Sequence, residues 1–205
     1  MIVIIDYGMG NVGSILNMLK KIGYQAAISA NPNEIMKADK LILPGVGAFD
    51  EAMSNLQQSR LVPLLNQRAL EDRCPILGIC LGMQLMSRRS EEGRLPGLGW
   101  IEADTRRFHL GPEQGHLKTP HMGWNLVDVM DTTGIFAGFE EPPRFYFVHS
   151  YHVCCDDPSN VLATSTHGYK FTSAIRRDNI LGTQFHPEKS HKYGMRLLLN
   201  FANLP

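Results

Sequence analysis

Three side chains, far apart along the chain, have the types and local settings that covalent acyl chemistry needs: Cys80, His186 and Glu188. Cys80 lies at the centre of Gly78-Ile79-Cys80-Leu81-Gly82, between an apolar strand-like run and a short helix-like stretch. A nucleophile at such a strand-to-helix corner sits in a strained turn with its sulfur presented outward. Glycines flank it because a Cβ there would collide with neighbouring backbone. Free N–H groups and the dipole at the start of the helix favour thiolate over thiol, and the Leu81 N–H becomes an oxyanion donor. A lone cysteine more often packs as a small buried hydrophobe, so the elbow needs partners before it means catalysis.

Gln184-Phe185-His186-Pro187-Glu188 supplies them. His186 follows an apolar strand that Pro187 ends at once, so the imidazole is held where strands terminate. Glu188 can accept a hydrogen bond from its second ring nitrogen and fix the tautomer. Cys80, His186 and Glu188 then form a nucleophile, an acid–base and an orienting carboxylate. A second oxyanion donor is expected from Pro44-Gly45-Val46-Gly47, where two glycines flank one residue whose N–H can turn toward the pocket. The same glycines make that peptide easy to reorient, which suggests that a docking partner gates activity through this loop. His109, His116, His121, His152, His167 and His191 are read as ordinary satisfied polar residues, while His149 is placed near the site.

The elements that must carry these groups follow from the apolar patterning. Residues 2–5 form a continuous β-branched run, read as a strand buried on both faces. Ser14 is expected to cap an amphipathic helix carrying Ile15, Leu19 and Ile22 and stopped by Gly23. Then come a strand over 24–29, a helix over 32–38, and a strand over 40–43 ended by Pro44 and Gly45. A helical region over 49–73, interrupted near Pro63, leads to a strand over 75–79 and a helix over 81–87. That alternation predicts an α/β fold with a central, mostly parallel sheet flanked by helices. Beyond Gly93, strands over 99–108, 124–129, 145–153, 161–166 and 171–176 read as antiparallel additions in the second half. A strand over 180–185 and a helix over 192–202 close the chain. Residues 1–205 are read as a single domain.

Composition narrows the classes. Lys plus Arg and Asp plus Glu both number 20, so no bulk positive field points to nucleic acid. Four cysteines show neither zinc-site pairing nor disulfide-scaffold density, which fits reduced thiols in a cytosol, with Cys154 and Cys155 structural. The apolar start is broken by Asp6, and no segment approaches the roughly 20 apolar residues of a membrane span, so neither export nor insertion is expected. Gly8-Met9-Gly10-Asn11-Val12-Gly13 matches the dinucleotide fingerprint in letter. The acidic residue that should hold the ribose is absent from Ser29, Ala30 and Asn31, and Asp6 would oppose a pyrophosphate. The turn is therefore read as a packing or protein-contact element. No cofactor or metal is called for.

The Cys elbow, Gln-Phe-His-Pro-Glu and Pro-Gly-Val-Gly-Ala-Phe together resemble the class I glutamine amidotransferases. Asp6 to Asn11, Gly78 to Leu85, Pro120-His121-Met122-Gly123-Trp124-Asn125, Tyr146-Phe147-Val148-His149-Ser150-Tyr151 and Gln184 to Ser190 look like the HisH family, the glutaminase subunits of imidazole glycerol phosphate synthase. The resemblance spans essentially the whole chain. It implies a flavodoxin-like fold and hydrolysis of L-glutamine to glutamate, with ammonia passed to a separate synthase subunit, HisF, a (β/α)₈ barrel, for histidine biosynthesis. It implies Cys80, His186 and Glu188 as catalytic, and Val46, Gly47, Leu81, Gln84, Ser150 and Tyr151 as substrate-binding. Asn11, Trp124, Tyr146 and Lys189 are expected near the partner's face. Close paralogues are thought to feed a sugar amidotransferase in surface polysaccharide synthesis, and residues 190–195 resemble those. Two readings of other classes remain, a stand-alone cysteine hydrolase and a nucleotide-binding oxidoreductase. The first would act without a partner, and the second would bind a cofactor at Gly8 to Gly13.

Overall fold

Strands made of uninterrupted apolar residues occupy the middle of the molecule, because a strand covered on both faces has no solvent side to make polar. The computed structural model describes residues 1–115 and 117–205, so His116 lies outside the described residues. Its first half alternates β1 (Ile2–Ile5), α1 (Val12–Lys21), β2 (Ala26–Ser29), α2 (Pro32–Lys37), β3 (Lys40–Gly45), α3 (Phe49–Gln58), α4 (Leu61–Asn66), β4 (Ile76–Cys80) and α5 (Leu81–Leu85). There follow β5 (Arg89–Ser90), β6 (Ala103–Arg107), β7 (His121–Leu126), β8 (Asp128–Val129), β9 (Arg144–His149), β10 (Tyr151–Cys155), β11 (Val161–His167), β12 (Tyr169–Arg177), β13 (Ile180–Thr183) and α6 (His191–Ala202).

The main sheet has eight strands in the order β2-β1-β3-β4-β13-β12-β11-β8. It is parallel from β2 through β13 and antiparallel from there to β8. Alternate residues of its strands feed two cores, as the two-residue period requires. Val3, Ile5, Leu41, Leu43 and Ile76 pack under α2 to α5. Ile2, Ile4, Ile42, Leu77 and Ile79 pack under α1 and α6. No helix among the described residues is long and apolar enough to cross a membrane. All four cysteines are free thiols, and burial pushes Cys155 up to about 12.

Several elements differ from the sequence reading. Among the described residues, only β8, β11 and β12 of the expected antiparallel additions extend the main sheet. β10-β6-β5 and β7-β9 form two separate small sheets, and residues 145–153 are two strands joined at Ser150. Helix α1 starts at Val12, because the Asn11 carbonyl already accepts the Ile15 N–H at 3.1 Å, and Ser14 is inside the helix rather than its cap. The break in residues 49–73 falls at Arg60, which adopts φ 57°, whereas Pro63 sits in the first turn of α4, where its missing N–H costs nothing. β3 does not end before Pro44 but continues through Gly45, which pairs with Cys80. Proline is tolerated there because β1 pairs with β3 only as far as Ile42, leaving that edge without a donor requirement.

Candidate active site

Parallel registers bring the carboxyl ends of three strands side by side. Gly45 lies opposite Cys80, and Thr183 opposite Ile79, so the segments leaving β3, β4 and β13 emerge at one rim. Crevices outside the carboxyl ends of strands are where α/β sheets bind ligands. Here a cleft of about 290 Å³ is lined by Val46, Gly47, Cys80, Leu81, Gln84, Glu92, Pro120, Val148, His149, Ser150, Tyr151 and His186.

Cys80 occupies the corner between β4 and α5 with φ 55° and ψ −108°, a left-handed conformation that a residue with a Cβ rarely adopts. The neighbouring packing enforces it. A Cβ on Gly78 would lie 2.7 Å from the Met83 nitrogen, and one on Gly82 would fall inside the Leu43 carbonyl oxygen. Cys80 is 94% covered yet lines the cleft, with Sγ 3.9 Å from the Val148 carbonyl and 3.7 Å from Gln184 Nε2.

His186 follows β13, its N–H bonded to the Tyr146 carbonyl at 2.9 Å and its own carbonyl accepting from Ser190 Oγ at 2.6 Å. Its Nδ1 meets Glu188 Oε1 at 2.8 Å, with both side chains almost fully buried. Burial alone would lower the imidazole's pKa, but Cys80 and Glu188 outweigh it and hold the group at about 10. Burial pushes Glu188 the other way from its partners, and His186 and Asn11 keep its carboxyl below the ordinary range. Among the described residues His186 Nε2 has no hydrogen-bond partner, and it belongs to a cleft-lining residue, as an acid–base poised for a substrate atom requires.

All the residues read as catalytic or substrate-binding except Glu188 line the cleft, and Glu188 stands behind His186. The glycine turn after β1 has a use the sequence did not disclose: it delivers Asn11, whose Nδ2 donates to Glu188 Oε1 at 3.1 Å. Gly13 would meet nothing within 4 Å if given a Cβ, unlike the third glycine of a dinucleotide fingerprint, which serves close helix–strand packing. Tyr7 was also missed. Its buried hydroxyl donates to the Pro44 carbonyl at 2.6 Å beside the Gly45 to Gly47 loop, and burial raises its pKa. Glu92 adds a carboxylate to the cleft, accepting the Phe49 N–H at 3.0 Å, with its pKa raised by partial burial. His149 lines the cleft as expected. His121 and His152 are buried and hydrogen-bonded, and His191 stacks on Trp124 at 5.7 Å. On the outer face of the β7–β9 sheet, Met122, Trp124 and Leu126 alternate as exposed apolar side chains, and Lys189 lies over the Tyr146 ring.

Comparison with known proteins agrees with this arrangement. The model of the family described as "Glutamine amidotransferase class-I" matches residues 3–203. A protein named imidazole glycerol phosphate synthase subunit HisH 2, from Methanococcus maripaludis, is 54% identical over 98% of both chains. The subunit of the same name from Pseudomonas aeruginosa is 51% identical over the full length of both. Among solved structures, that of PurLQS from Thermotoga maritima matches with a TM-score of 0.75 at 17% identity, covering 98% of this chain and 97% of that one, a likeness of fold.

Proposed function

The chain belongs to the class-I glutamine amidotransferase family, and within it to the HisH subunits; from that premise we propose that it hydrolyses L-glutamine through a Cys80 thioester, as one domain over residues 1–205. Cys80 Sγ attacks the side-chain carboxamide carbon, and the resulting oxyanion is held by the Leu81 N–H and the Val46–Gly47 peptide. His186 gives its proton to the departing nitrogen as the C–N bond breaks, releasing ammonia. Water then attacks the thioester, His186 takes its proton, and the C–S bond breaks to free glutamate and restore the cysteine. Glu188 keeps the imidazole charged and oriented. Gln84, Ser150 and Tyr151 face the amino-acid end of the substrate, and the Glu92 carboxylate suits its ammonium. The observation that carries the reading is the unpartnered Nε2 of an imidazole held charged beside a strained cysteine at the rim of one cleft.

The ammonia goes to a separate cytoplasmic synthase subunit of the HisF kind, which makes imidazole glycerol phosphate and AICAR in histidine biosynthesis. The exposed Met122, Trp124 and Leu126 beside Tyr146 and Lys189 offer the apolar and aromatic surface for that contact. The alternative acceptor is a sugar amidotransferase of surface polysaccharide synthesis, whose glutaminase partners residues 190–195 resemble. Glutamine hydrolysis measured with each purified acceptor separates the two, since only the true partner raises turnover. Full turnover by the lone chain, unchanged by either, would instead identify a stand-alone hydrolase.

A further inference from the structure

We propose that Gln184 is a further catalytic residue: its carboxamide N–H bonds the Cys80 sulfur and stabilises it as nucleophile and as leaving group, in an orientation that the Tyr151 carbonyl fixes through Gln84. The inference rests on Cys80 being the nucleophile. Gln184 is fully buried just after β13, and its Nε2 stands 3.7 Å from Cys80 Sγ.

Which end of a carboxamide faces a neighbour must be argued from its partners, and here every partner is constrained. A backbone carbonyl can only accept, so the contact of Gln84 with the Tyr151 oxygen at 3.0 Å must be made by its NH₂ group. The second N–H of Gln84 then donates to Gln184 Oε1 at 3.1 Å. With its oxygen committed to Gln84, Gln184 has only its NH₂ group left to present to the sulfur. The Tyr151 carbonyl is itself anchored, because His149 Nδ1 donates to it at 2.8 Å. That leaves His149 Nε2 as the acceptor of His121 Nδ1 at 2.9 Å, and His121 Nε2 as the acceptor of Asn125 Nδ2 at 3.1 Å. Donors and acceptors alternate without conflict along the whole chain, so no amide can flip without breaking the bond next to it. A donor at the sulfur acts at both stages of the reaction. It favours thiolate before attack, and it stabilises the same thiolate when water expels it from the thioester.

The test is the rate of iodoacetamide alkylation at each cysteine of the full chain, read by peptide mass spectrometry. In the wild type Cys80 should react ahead of Cys74, Cys154 and Cys155; if it does not, the nucleophile assignment itself fails. In Gln184→Leu the Cys80 rate at neutral pH should drop about tenfold, while buried Cys74 stays slow, as it would not in a loosened fold. Gln184→Glu keeps the shape and the acceptor for Gln84 but turns oxygen toward the sulfur. Its Cys80 rate, relative to wild type, should fall further as pH rises and the new carboxyl ionises. A Cys80 rate equal to wild type in Gln184→Leu overturns the proposal. If that variant does not fold, a Glu-variant ratio independent of pH overturns it instead.

Discussion

The histidines in and behind the cleft set how the protein should respond to acid. Burial lowers His121 and His152 to about 4 and His149 well below its ordinary value, so all three are neutral in the fold and basic when unfolded. Between about pH 4 and 6.5 the unfolded chain therefore binds more protons than the native one. The stabilisation is complete above 6.5 and is lost as pH falls. A shift from 6.5 to about 4, at about 1.36 kcal/mol per unit, is worth roughly 3 kcal/mol for each of His121 and His152, a large part of a domain's ~5–15 kcal/mol. Near pH 5, His121 and His152 together give a slope of roughly 2 kcal/mol per pH unit, and His149 adds to it in the same direction. His121→Gln can still donate to His149 and accept from Asn125, but it does not titrate. Urea unfolding at pH 7, 6 and 5 should then show the variant losing stability more slowly than wild type, by about 1 kcal/mol per pH unit. Carboxylates contribute equally to both chains. Equal slopes in the two would refute the claim that His121 is buried neutral.

Gly82→Ala forces a methyl group into the Leu43 carbonyl at the elbow, and should cost at least about 3 kcal/mol in urea unfolding, whereas Gly13→Ala, which meets open space, should be neutral or stabilising. Glu188→Gln removes the charge that holds the His186 imidazole and should lower kcat for glutamine hydrolysis on the order of a hundredfold or more, with KM little changed, because the carboxylate lies behind His186 rather than in the cleft.

Much of this was readable from the chain because the chemistry is written locally. The elbow glycines, the apolar run before Cys80 and the Pro187 stop each act within a few residues, and the motif Gln-Phe-His-Pro-Glu holds acid–base and orienter together. Contacts closed through space left weaker traces. Asn11 reaches Glu188 across 177 positions, and Gln84 reaches Gln184 across 100, so neither partner is visible from spacing. The one available signal was a glutamine following an apolar strand, a polar side chain that burial obliges to find partners. Strand ends were missed where tertiary pairing overrode local turn chemistry, as at Pro44, or where a corner split one apolar run into strands of different sheets, as at Ser150. The β10-β6-β5 sheet includes β5, two residues long, and so short a strand leaves almost no alternation to read.

The most direct measurement is to mix the chain and its ammonia acceptor with isotope-labelled glutamine, quench in acid during turnover, and map the label by peptide mass spectrometry. A glutamyl group joined to the Cys80 peptide, absent from Cys80→Ala together with ammonia release, is the predicted result. Sustained turnover with no label on Cys80, undiminished in Cys80→Ala, would contradict the account.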